Sequence, residues 1–166
     1  MLQFNRSDER WWQKPLGELS GKLLPAELLV LHAELGIGEH GAWLNSRGIK
    51  SGVIDLVRDE KGKFRTVRCI LPSYASEALA TIYKAIQNKK GATDLIIWHE
   101  PTYQVRFVEV KCPHWDQLSF GQLEFMRIAG EQGFAAKVVE WEFLPDNKSP
   151  KTYPAAATDA QHPAAG

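Results

Sequence analysis

Residues 92–111 read Ala92-Thr-Asp-Leu-Ile-Ile-Trp-His-Glu-Pro-Thr-Tyr-Gln-Val-Arg-Phe-Val-Glu-Val-Lys111, and the rest of the chain is organised around them. Two apolar runs, Leu95–Trp98 and Val105–Val110, flank Glu100-Pro101-Thr102. Two β-rich runs around a proline turn are a hairpin signal. A turn centred between Pro101 and Thr102 sets a register in which Asp94 faces Glu109. Directly opposed residues have Cβ atoms roughly 5 Å apart. Lys111 lies two residues past Glu109 and points to the same side of the strand. Two carboxylates and an ammonium thus converge at one end of an otherwise apolar hairpin. Like charges opposed in a sheet are unfavourable unless something offsets them, and a divalent cation would. The plainer alternative is that aspartates open many strands. Glu-x-Lys on a strand is also often an exposed ion pair worth under ~1 kcal/mol.

Upstream, residues 25–35 read as a helix with Pro25 in its first turn and a stripe of Leu28, Leu31 and Leu35. Gly36-Ile-Gly-Glu39-His-Gly41 reads as a connecting loop. Val53–Val57 and Phe64–Leu71 flank a charged, glycine-bearing turn and form a second hairpin. Its Gly52-Val-Ile-Asp55 echoes Gly91-Ala-Thr-Asp94. Its return strand carries Arg68 and no Glu-x-Lys, so an internal repeat is rejected. Pro72 breaks the chain, and Ser76 is expected to cap a helix running to about Lys90. Lys84, Lys89 and Lys90 suit that helix's C-terminal dipole and could also touch phosphate. Residues 1–22 are polar and mixed. Within them Trp11-Trp12 reads as an apolar anchor, with stacking on bases as the functional alternative.

Downstream, Cys112–Leu118 is a loop. Ser119 caps a helix ending near Gly133, with Phe120, Leu123, Met126 and Ile128 apolar and Gln122 polar on its first turn. Residues 135–143 are expected to form a core strand, and the tail from Pro145 to be disordered. The expected division is therefore 1–71 as an extension, 72–144 as the core and 145–166 as a tail. The alternation of helices and strands gives an α/β class with a mixed sheet flanked by helices.

Hydrophobic residues make up 44% of the 166, enough for a packed core. No stretch reaches the ~20 apolar residues of a membrane span, and no signal-peptide pattern opens the chain. The two cysteines lack disulfide or metal spacing, which points to a reduced, cytoplasmic setting. Twenty basic and twenty acidic residues balance. A dedicated nucleic-acid binder shows a basic excess, so any such partner must be held by local clustering.

An aspartate, a glutamate and a lysine at one polar end of a hairpin suit metal-dependent phosphodiester cleavage. Carboxylates are hard ligands for Mg²⁺, which keeps several waters. The metal lowers the pKa of water and offsets charge on phosphate. The lysine can orient or deprotonate that water, or neutralise the transition state. The carbonyl of Val110 is a candidate further ligand.

Asp94, the Glu109-x-Lys111 pair, Ser119 and Gln122, with Gly133 and Val138-Val-Glu140 beyond, resemble the VRR-NUC domain of the PD-(D/E)xK nuclease superfamily. The resemblance runs over roughly residues 75–142. Thr93 stands where that family usually has proline, and Cys112 where it has glycine.

The resemblance implies a restriction-endonuclease-like core and a DNA nuclease using Mg²⁺ or Mn²⁺. Asp94 and Glu109 would be metal ligands, Lys111 the catalytic lysine and Gln122 a site residue. It also implies one upstream glutamate. Glu39 is the first choice, with Glu27 and Glu77 as alternatives. Two other functions stay open. One is the toxic DNase module of a secretion-system effector, delivered into a target-cell cytoplasm and paired with an immunity protein. The other is a silent nuclease fold that binds DNA or a partner. A homodimer is also compatible with the sequence.

Overall fold

The β7–β8 hairpin is the centre of the molecule. In the computed structural model, which describes residues 1–44, 50–86 and 91–145, β7 spans Leu95–His99 and β8 spans Gln104–Lys111. Leu95 pairs Val108, Ile96 pairs Phe107 and His99 pairs Gln104, the register expected from the sequence. The Tyr103 amide donates to the Glu100 carbonyl at 3.4 Å and closes the turn.

Both strands are apolar on both faces, as strands covered on two sides must be. Leu95, Ile97, Val108 and Val110 enter one core cluster, and Ile96, Trp98, Val105 and Phe107 enter the other. Helix α1 (Ala26–Glu34) covers the first face with Leu28, Leu29, Val30 and Leu31, all buried. The helix is thus sunk more deeply than its expected single stripe. Helices α2 (Ser73–Ala85) and α3 (Phe120–Glu131) cover the second face. On α3 the buried positions are Gly121, Phe125, Ile128 and Ala129, while Phe120 and Leu123 face solvent.

The remaining strands are β1 (Leu2–Trp11), β2 (Lys14–Leu19), β3 (Lys22–Leu24), β4 (Glu39–Leu44), β5 (Ser51–Arg58), β6 (Phe64–Ile70) and β9 (Ala135–Phe143). They complete a nine-stranded mixed sheet in the order β3-β2-β1-β9-β8-β7-β4-β5-β6. β9 is parallel to both β1 and β8, and the other pairs are antiparallel. Sheet pairing crosses the boundary expected at residue 71, because β4 pairs β7 and β1 pairs β9.

Three local expectations change. Residues 39–41 lie in β4 rather than a loop, because glycine here serves close packing. A Cβ at Gly41 would stand 2.6 Å from Leu31 Cδ1 on α1. Helix α2 starts at Ser73, directly after Pro72, since proline's fixed φ suits a helix start. Ser76 falls inside the first turn, its amide bonded to the Pro72 carbonyl at 3.0 Å. Residues 1–24 form a three-stranded meander, although the mostly exposed side chains of β1 carry no clear apolar pattern. Residues 146–166 of the tail lie outside the described residues.

Candidate active site

The site forms where β7 begins, β8 ends and α3 starts. Gly91 makes that junction feasible. Its φ is 133°, and a Cβ there would lie 2.4 Å from the Gly121 carbonyl carbon and 2.8 Å from the Gln122 amide nitrogen. Only glycine lets the chain entering Asp94 run this close to the first turn of α3.

Asp94 lies one residue before β7, opposite Glu109 by continuation of the ladder. The Val110 amide donates to Asp94 Oδ2 at 3.0 Å. Glu109 is fully buried. Its Oε1 accepts from Gln122 Nε2 and pairs with Lys111 Nζ at 3.0 Å. Its Oε2 is buried and accepts from no N–H or hydroxyl among the described residues, and the Asp94 carboxyl lies within hydrogen-bonding reach of Glu109. A buried carboxylate oxygen given no fixed donor is costly, and is expected where something else is meant to bind.

Gln122 is held in turn by a capping box. Its amide donates to Ser119 Oγ at 3.3 Å, and its Oε1 accepts from the Ser119 amide at 2.9 Å. This leaves Nε2 free to aim at Glu109. The Ser119-x-x-Gln122 spacing is the readable signal for that arrangement. Lys111 Nζ also donates to Asp116 Oδ2 at 3.1 Å, from the loop between β8 and α3.

The electrostatics follow from burial. Desolvation first, then the Glu109 charge, pushes Asp94 up to about 7. The charge of Glu27 adds to the rise, and the Val110 hydrogen bond and Lys111 oppose it. Desolvation likewise raises Glu109, against the hydrogen bond and charge of Lys111. Burial alone would lower Lys111, but Glu109 and Asp116 outweigh it and hold the lysine above its ordinary value. Lys111 is therefore a cation at neutral pH. The two acids resist both being charged.

These groups line a pocket of about 360 Å³ together with Glu27, Lys14, Gln13, Trp115 and Trp141. Val110 and Cys112 also reach it. Cys112 is a free thiol buried against the α1-side core. Thr93 is buried, and its hydroxyl donates to the Leu95 carbonyl at 3.4 Å.

Glu39 is not brought to this pocket. Its register partner is His99, at the opposite end of β7 from Asp94. There it makes a two-point contact with Arg106 at 2.7 and 3.0 Å, and accepts from the Gly36 amide at 2.8 Å. The Arg106 hydrogen bonds hold its pKa down at about 2. The expectation fails because residues 39–44 form a strand antiparallel to β7, which carries Glu39 away from the hairpin's polar end. The carboxylate that does line the pocket is Glu27, in the first turn of α1, where it pairs with Lys14. Glu77 and Lys84 stand exposed on α2 and do not line the pocket. Lys89 and Lys90 lie outside the described residues. Asp116 and Trp115 had no sequence signal, since a short polar loop does not disclose which side chains fold back.

Among the described residues, no three His, Cys, Asp or Glu side chains are gathered tightly enough to enclose a metal by themselves. The carboxylates that fit are Asp94 and Glu109, with Val110 beside them in the pocket lining. Glu27 faces the same space. Such an open oxygen-donor set suits a hard cation that keeps water ligands.

A mixed sheet with helices on both faces, carrying a paired Asp94 and Glu109-x-Lys111 at a strand end, defines an α/β fold of the PD-(D/E)xK nuclease type. The model of the VRR-NUC domain matches residues 43–141, more than half of the chain, so the chain belongs to the VRR-NUC domain family. The match begins in β4 and so takes in strands the sequence had assigned to an extension. Among solved structures, the crystal structure of paFAN1 bound to 2-nt 5′-flap DNA with a gap is similar. It shows 23% identity over 47% of this chain, with a TM-score of 0.37. The match covers 17% of that chain's length. No curated protein matches the chain.

Proposed function

We propose that the chain is a divalent-metal-dependent deoxyribonuclease that hydrolyses a phosphodiester bond in this pocket. The observation that carries the reading is the buried Glu109 set beside Asp94, with Lys111 and Gln122 on one of its oxygens and only the Asp94 carboxyl within hydrogen-bonding reach besides them. Burying Asp94 and Glu109 together, with the Asp94 pKa pushed up to about 7 and that of Glu109 also raised, costs stability and is the pattern of a functional site.

Asp94, Glu109 and the Val110 carbonyl would hold Mg²⁺ or Mn²⁺, with Glu27 in the role first expected of Glu39. When bound, the cation offsets the phosphate charge and makes water acidic enough to attack. Gln122 fixes the orientation of Glu109 through the capping box. Asp116 restrains Lys111 on its other side. The cationic Lys111 can donate a hydrogen bond to a non-bridging phosphate oxygen. It can thereby stabilise charge that grows as water adds to phosphorus and the sugar oxygen leaves. Its raised pKa favours that role over proton abstraction.

The test is cleavage of supercoiled and linear DNA by the whole chain in Mg²⁺, with Glu109→Ala and Lys111→Ala beside it. Each variant should lose at least about a hundredfold in rate, the scale of a lost positioned charge. Wild-type protein that cuts no DNA in Mg²⁺ or Mn²⁺ overturns the reading and favours a silent binding module.

A further inference from the structure

Lys14 opens β2 and pairs Trp11 across the β1–β2 turn. The ladder fixes its backbone and leaves its side chain free to move. Its Nζ forms an ion pair with Glu27, in the first turn of α1. Both residues lie before residue 43, outside the stretch that matches the VRR-NUC model. Both nonetheless line the pocket that holds Asp94 and Glu109. Glu27 sits near enough for its charge to act on Asp94.

The pocket lining carries four carboxylates, Glu27, Asp94, Glu109 and Asp116, and two ammonium groups, Lys14 and Lys111. The two lysines are held very differently. The Lys111 side chain is 9% exposed and is clamped between Glu109 and Asp116. The Lys14 side chain is 46% exposed and has one carboxylate partner, Glu27. An ion pair with so exposed an ammonium is weak. A hard divalent cation competes well for such a carboxylate. Lys14 also has a second place to rest. Its Nζ stands 5.0 Å from the centroid of the Trp43 ring, within reach of a cation–π contact. The β1–β2 turn sends Trp11 inward to brace that ring edge-on, with centroids 6.1 Å apart, and leaves Trp12 88% exposed.

We infer that Lys14 is a built-in competitor for the divalent cation, holding Glu27 in the metal-free chain and yielding it, to rest on Trp43, when the cation binds. This rests on the metal-binding reading of the same pocket. The physical reason is repulsion in both states. Without Lys14, the bare charge of Glu27 would add to the crowding of Asp94 and Glu109. With Lys14 still on Glu27, an ammonium and a divalent cation would share one carboxylate and repel each other. Exchange of one cation for the other relieves both. Lys14 thereby sets the metal concentration at which the pocket fills.

The test titrates Mn²⁺ into the chelator-stripped full chain by calorimetry, with thermal melting of the same samples to monitor folding. Lys14→Met keeps the apolar stem and removes the charge. It should tighten Mn²⁺ binding about fivefold, the scale of one exposed ion pair. Lys14→Arg should bind Mn²⁺ no more tightly than wild type. In a Glu27→Gln background, Lys14→Met should change the affinity by less than about twofold, because the contested carboxylate is gone. A second measurement needs no variant. Acylation by an amine-reactive ester, read by mass spectrometry, should modify Lys14 faster in saturating Mn²⁺ than in chelator. Glu27→Gln should remove that dependence on Mn²⁺. Unchanged or weaker Mn²⁺ binding by Lys14→Met, or Lys14 acylation that ignores Mn²⁺, overturns the inference and leaves the metal site standing. No Mn²⁺ binding to any form overturns both. Exchange in a chain that cuts no DNA supports the inference and removes the nuclease reading.

Discussion

Replacing Asp94 with asparagine should stabilise the metal-free protein while abolishing its activity. Asparagine keeps an oxygen acceptor for the Val110 amide and removes the charge that burial and Glu109 oppose. The Asp94 pKa, pushed up to about 7, lies about three units above the ordinary value for an aspartate. At about 1.4 kcal/mol per unit, ionising it in the folded state costs of order 4 kcal/mol. Between about pH 4 and pH 7 the folded chain holds a proton that the unfolded chain has released. Stability therefore falls as pH rises through that window and stays low above it. The advantage of Asp94→Asn should be small near pH 4 and full above about pH 7. For a domain of this size each kcal/mol moves the melting temperature by about 2–4 °C, so a gain of roughly 10 °C is expected near pH 8. The assay is thermal or urea unfolding of chelator-stripped wild type and variant across that range. A variant no more stable than wild type near pH 8, or a difference that does not change with pH, would refute the reasoning.

Glu27→Gln should lower the cleavage rate by at least about tenfold, while Glu39→Gln should leave it within about twofold. Glu39→Gln should instead lower stability by about 1–3 kcal/mol, measured by urea unfolding, because Arg106 loses its two-point partner. Gly91→Ala should cost more than about 3 kcal/mol, since a positive φ and a backbone collision coincide there. It should also lower cleavage activity more than a stability-matched core variant does, because α3 and its Gln122 must move. Gln122→Ala should reduce the rate by about tenfold or more and lower stability by about 1 kcal/mol, through the lost capping box.

The hairpin was legible because three independent signals agreed. Two continuous apolar runs, a proline turn and the spacing of Asp94 to Glu109 fixed both the register and the pairing of the acids. The Ser119–Gln122 helix start was legible for a similar reason, since capping is local chemistry. The third carboxylate was not legible, because it depends on sheet order. Glu39 and Glu27 are both upstream glutamates near glycine or proline, and nothing local says which one the sheet delivers to the hairpin's polar end. The pairing of β4 with β7 decides it, and that is a long-range contact. Trp12 was obscure for a different reason. Two adjacent tryptophans look like one apolar anchor until the turn between β1 and β2 sends them in opposite directions.

If the Asp94–Glu109 pair serves to receive a divalent cation, the metal should bind there in exchange for a proton. The most direct test is a calorimetric titration of Mn²⁺ into chelator-stripped protein near pH 7, in two buffers of different ionisation heat. A saturable binding event with proton release is expected, because the cation displaces the proton that the pair retains. The event should be absent from Glu109→Gln. No binding to the wild type, or equal binding to Glu109→Gln, would contradict the metal-binding role.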